Sequence, residues 1–245
     1  MVMIASHREL YNESRDTKRE FVEAFEKKIK NKRVKDFRDT IIEKIGKKAE
    51  IIRKHFEDKG IINENTTFIN KEALENIINN FGQAMAHLYE NDDYKNIKGN
   101  LKEFEDGITP YGLSEYSTDI IIKDPYFIQK TSKYTFEIYF ENDKHGEFPY
   151  LSILHALGHV ALDWGNMIKR VKLEKGVSNR RYCKGIGFDY RDALVFARAF
   201  AMPEKHFREI AASNSNKYDR IYFAEIYRIY SSEVVLRGIE LDIWR

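Results

Sequence analysis

The 245 residues carry 41 Lys and Arg against 39 Asp and Glu, a formal net charge of +2, and 42% of them are hydrophobic. That balance makes no global case for nucleic-acid binding, and with a mean hydropathy of −0.58 it is the composition of a soluble chain forming one large domain or two small ones. The single cysteine, Cys183, excludes an intramolecular disulfide and a cysteine-rich zinc finger, and no apolar run approaches the ~18 residues of a membrane helix.

The opening MVMIASHREL lacks the apolar stretch of a signal peptide, so a cytoplasmic protein without membrane contact is expected. Residues 15–56 hold no proline and one glycine, and Phe21, Phe25, Ile29, Val34, Phe37, Ile41 and Ile45 recur at helical spacing. Charge is uneven there: residues 1–60 have 17 Lys and Arg against 12 Asp and Glu, a balance of +5. Such a face either grips phosphate or is a solvated helical surface of mixed sign. A break is expected at Lys59-Gly60. Asn70 then caps a helix whose Leu74, Ile77, Ile78, Phe81, Met85 and Leu88 form one core stripe.

Residues 91–118 read as polar and irregular. Two strand candidates follow, STDIIIKD at 117–124 and YTFEIYFEND at 134–143, the latter with Phe136, Ile138 and Phe140 on one side. A turn leads into a helix bearing LHALGHVALDW, residues 154–164, and a basic loop is expected after Trp164. A further helix is expected from Tyr190 to Ala201, stopped by Pro203, and a last helical stretch from about Tyr218 with a break near Tyr230 to Ser232. The layout is α+β: mostly helical, with a small β-sheet just before the histidine helix.

His155 and His159 are the only ligand-spaced pair among seven histidines. Residues four apart on a helix project from one face one turn apart, so both rings can reach one metal ion. Gly158 leaves a side of that helix where another backbone or a substrate can come close. Catalytic zinc usually takes three protein ligands and keeps one position for water. Asp163 lies eight residues beyond His155, a rise of ~12 Å that strains a shared ion. Glu174 lies in the basic loop. Asp192 opens the Tyr190–Ala201 helix, where it is either a third ligand or a carboxylate favoured by the helix dipole.

Leu151-Ser152-Ile153-Leu154-His155-Ala156-Leu157-Gly158-His159 resembles the F-[ST]-L-x-H-E-L-G-H signature of the ImmA/IrrE zinc metallopeptidases. Asp192 to Pro203, DALVFARAFAMP, is similar to that family's E-A-x-x-F-A-x-x-L-L-M-P pattern, and Ser231, Val235, Leu236 and Arg237 echo a closing pattern. The resemblance runs from about Ser117 to the C-terminus. It implies a zincin-like metallopeptidase domain at 66–245 after a helical N-terminal extension at 1–65. It also implies a Zn2+ cofactor held by His155, His159 and Asp192, with Asp replacing the usual glutamate. The implied activity is cleavage of a protein partner, commonly a transcriptional repressor. Tyr190, Tyr182 or His206 would be available to stabilise an oxyanion.

Ala156 departs from the pattern. It occupies the position of the family's general-base glutamate, and a methyl group takes no proton from water. Either the chain is a natural pseudoenzyme or a glutamate has been replaced by alanine; in both cases metal binding with little or no hydrolysis is expected. The rival reading is a regulator or toxin module that binds protein or nucleic acid without hydrolysis, the basic N-terminal helices gripping the partner. Two further expectations follow: that residues 1–60 are dispensable for the metal site, and that position 156 faces solvent and metal and tolerates a glutamate.

Overall fold

The computed structural model describes residues 32–103, 126–140, 149–173, 190–213 and 219–244. The chain divides into two compact units, 1–41 and 42–245. In the first, the described part is the start of helix α1, Lys32–Asp58; everything below concerns the second.

From Ile42 onward α1 belongs to the larger unit, burying Ile45, Ala49, Ile52 and Phe56. It ends where Lys59-Gly60 predicts. Gly60 takes φ 68, its N–H donates to the Glu57 carbonyl at 2.9 Å and that of Ile61 to the Phe56 carbonyl at 3.0 Å. This is the Schellman closure that a glycine makes cheaply. The larger unit begins at Ile42, and the apolar stripe of α1 packs into it.

Asn70 caps α2, Lys71–Asn79, its side chain accepting from the Ala73 N–H at 2.9 Å. The core stripe runs on through α3, Phe81–Tyr89, after a break at Asn80; Leu74, Ile77, Ile78, Phe81 and Met85 are fully buried and Leu88 half-buried. A 3-10 turn, Asp92–Asn96, leads to β1, Lys98–Glu103. This strand lies in the stretch expected to be irregular, and KGNLKE carries no strand pattern. Tertiary contact makes it: a Cβ on Gly99 would lie 2.3 Å from the Phe136 ring and 2.6 Å from Ile78, so only glycine lets the backbone lie this close to both.

β2, Tyr126–Lys130, and β3, Thr135–Phe140, form an antiparallel hairpin with Ile128 opposite Ile138. β1 pairs parallel to β3, Leu101 opposite Ile138, giving the order β1-β3-β2. Phe136, Ile138 and Phe140 are fully buried on one face, as their alternation predicts. Residues 117–124, the other strand candidate, lie outside the described residues.

Helix α4, Tyr150–Leu173, carries the histidines; Phe136 of β3 meets its Trp164 edge to face, 5.9 Å between ring centres. The basic loop expected after Trp164 is helix as far as Leu173, with a kink at Asp163 (φ −133, ψ 15). The Tyr89 hydroxyl donates to the Ala161 carbonyl at 2.6 Å, the kind of side-chain insertion into a helical ladder that accompanies such kinks. Helix α5 runs Tyr190–Ala201, and α6, Glu204–Ser213, restarts directly after Pro203. α7, Arg220–Tyr227, and α8, Ser231–Glu240, complete an α+β fold of eight helices and one mixed sheet among the described residues. None of these helices is long and apolar enough to cross a membrane.

Three buried arginines fasten α5. Arg53 of α1 donates to the Phe200 carbonyl at 2.7 Å and the Thr66 carbonyl at 2.8 Å, and Arg237 of α8 donates to the Met202 carbonyl at 3.0 Å. Cations are favourable at a helix C-terminus, where carbonyls lack helical partners. Arg198, within α5, pairs with Glu233 at 2.9 Å and Glu240 at 2.5 Å, all three side chains buried. Together they fix the end of the helix whose first turn carries Asp192.

Candidate metal centre

The turn of α4 that bears the histidines is buried all round: every residue from Ile153 to Trp164 is. An amphipathic surface helix would expose one side; this one runs through the core. His155 and His159 stack one turn apart, ring centres 4.9 Å and 38° between planes. Helical spacing alone produces this pairing.

Nε2 of His159 is buried and has no hydrogen-bond partner among the described residues. Burial pushes the ring's pKa down to about 4, so it is neutral near pH 7. A neutral imidazole with an unpartnered buried nitrogen has the chemistry of a zinc ligand, and such an atom otherwise costs ~1–3 kcal/mol of desolvation. The donor chemistry of the pair therefore fits a zinc ion.

Gly158 brings the second candidate element in. A Cβ there would stand 2.7 Å from the Ala193 carbonyl oxygen and 3.0 Å from its Cα, so α4 and α5 touch backbone to backbone at this point. What Gly158 admits is a helix. Around α4 it lies within ~60° of His155, by 3.6 residues per turn. The contact thus falls one residue from His159 and one residue from Asp192, which is buried in the first turn of α5.

The convergence stops short of a complete ligand set. Among the described residues no three His, Cys, Asp or Glu side chains come close enough to hold a metal ion. The structure brings His155 and His159 together and Asp192 onto the abutting helix. Asp163, also buried, sits at the kink and lines a cavity of about 150 Å³ with Tyr89, Tyr94 and Trp164. Tyr190 is the first residue of α5. His206, on α6, meets the Tyr227 hydroxyl at 3.0 Å through Nδ1. Glu174 and Tyr182 lie outside the described residues.

Ala156 is fully buried, 0% exposed. The expectation that position 156 faces solvent is therefore corrected: α4 is covered on that side as well as on the histidine side. A carboxylate there would be desolvated. A cavity of about 570 Å³ lies between the end of α1 and the start of α2, lined by Lys54, Glu57, Asn63, Thr66, Phe68 and Asn70 among others, and takes in neither His155 nor His159. Of the arginines that hold α5, Arg53 lies in the segment expected to be an extension, and only its polar type amid an apolar stripe marks it in the sequence.

Compared with protein-family models, curated proteins and solved structures, the chain finds no match.

Proposed function

We propose that the protein is a zincin-like scaffold of the ImmA/IrrE type, which holds one zinc ion on the His155 and His159 pair, with Asp192 of the abutting helix as the third ligand that the resemblance implies, and engages a protein partner such as a transcriptional repressor in the cytoplasm. One observation carries the reading: a buried, neutral His159 whose Nε2 has no partner among the described residues stands one turn from a second buried histidine. The backbone contact at Gly158 and Ala193, beside Asp192, supports it. Zinc in such a site supplies Lewis acidity toward a scissile carbonyl and a water molecule. β2 is an outer strand of the described sheet, where an extended peptide can add by main-chain pairing.

Ala156 cannot accept a proton. Loss of a general acid/base costs ~10²–10⁴-fold in rate, so the chain with Ala156 binds its partner without appreciable cutting. The second reading, a recognition module for protein or nucleic acid without metal, is favoured by the complete burial of Ala156 and by the lack of a three-donor group among the described residues.

Elemental analysis of protein purified without chelator separates the two. One zinc per chain, and a melting temperature raised by added zinc, support the scaffold; no metal and no shift leave the recognition module. On the scaffold reading, Ala156→Glu confers chelator-sensitive cleavage of the co-purifying partner. A folded, zinc-loaded Glu variant that leaves the partner intact rules out a disabled peptidase.

A further inference from the structure

Away from α4 and α5, a second histidine pair spans two helices. His55 of α1 and His87 of α3 have ring centres 6.1 Å apart and planes tilted by 35°. The pairing is not an accident of one helix's repeat. Phe56, next to His55, stacks on Phe81 at 6.5 Å and 16°, and that core contact sets how the two helices face each other. Both phenylalanines are fully buried, so the relationship is anchored from below. The histidines sit above it, His55 half-buried and His87 exposed.

We propose that His55 and His87 form a site for a divalent transition-metal ion, a clip across α1 and α3 completed by water. Metal–imidazole bonds of ~2.0–2.1 Å let two rings at this separation share one ion between their nitrogens. The exposed side leaves the remaining coordination positions to solvent. The ligand must be neutral to bind. Burial, Lys59 and His87 hold His55 below its ordinary value, against the opposing pull of Asp58. Asp58 is itself engaged with Lys54 at 2.7 Å. With two imidazoles and no thiolate, affinity follows the general order for divalent ions, with Cu2+ and Ni2+ ahead of softer-site specialists. An ion here ties the helix that enters the unit at Ile42 to the core helix α3, stabilising the folded state by mass action.

The site shares no residue with the His155 and His159 pair and stands independently of the zinc reading. The test is titration of Ni2+ into the tag-free, chelator-treated full chain, followed by calorimetry, melting temperature and broadening of histidine ring-proton signals. Broadening of His55 and His87 at substoichiometric Ni2+, with a rise in melting temperature, is the expected result. His87→Gln, at an exposed position that leaves the fold intact, lowers Ni2+ affinity at least tenfold, and His55→Gln does the same. His159→Gln leaves this affinity unchanged, whatever it does to zinc content. A His87→Gln protein that titrates like the unsubstituted chain, or Ni2+ binding lost entirely with His159→Gln, overturns the proposal. Should His55→Gln not fold, His87→Gln decides alone.

Discussion

Gly158 and Ala193 touch where any side chain on Gly158 would collide: a Cβ would lie 2.7 Å from the Ala193 carbonyl oxygen. The obstacle is backbone, which cannot swing aside as a flexible side chain does. Gly158→Ala therefore forces α4 and α5 apart, at a cost of ~1–3 kcal/mol as for other overpacked sites. Chemical denaturation measures that loss. Because Asp192 is one residue from the contact, the zinc affinity proposed above is expected to fall with it. Unchanged stability would show that the helices separate at little cost.

Asp192 and Asp163 are both buried, but only Asp192 lies beside the Gly158 contact. Asp192→Ala is expected to weaken zinc binding by at least tenfold, and Asp163→Ala to leave it nearly unchanged. Competition with a chromogenic chelator reads both. Equal affinities for the two variants would remove Asp192 from the ligand set.

Acid should weaken the metal-free protein through His159. Its ordinary pKa of 6.5 is pushed down to about 4 by burial, so the unfolded chain binds a proton in that window that the folded chain does not. Stability from this source is full above pH 6.5, falls as pH drops toward 4, and is lower by roughly 3 kcal/mol below that. Urea midpoints of chelator-treated protein between pH 7 and 4 give the slope. His159→Gln should flatten it; a variant with the same slope assigns the loss to another group.

Residues 42–58 are structural. Ile45, Ala49, Ile52 and Phe56 are buried, and Arg53 reaches the carbonyls of Phe200 and Thr66. A chain starting at residue 66 is expected to be insoluble or molten by circular dichroism, against the expectation that the first 60 residues are dispensable. Arg53→Ala leaves buried carbonyls without donors and costs ~2–4 kcal/mol, several degrees of melting temperature. A soluble, cooperatively melting 66–245 fragment would reverse this account.

Local rules wrote several features into the sequence. The helical repeat of α2 and α3, the Asn70 cap, the Gly60 stop and the alternation of β3 are each decided by residues within a turn or two, so they are legible without a partner. The pairing of His155 with His159 is likewise a consequence of 3.6 residues per turn. Other features answer to residues far away. KGNLKE becomes a strand because Gly99 lies against Phe136 and β3 offers hydrogen bonds; nothing within those six residues announces it. Arg53 looks like one more charge on a solvated helix until the end of α5, 147 residues on, supplies the carbonyl it binds. Ala156 reads as a gap in a solvent-facing motif, yet tertiary packing covers it completely. Periodicity tells which residues share a face of a helix, and only the neighbouring elements decide whether that face meets water, a metal or the core.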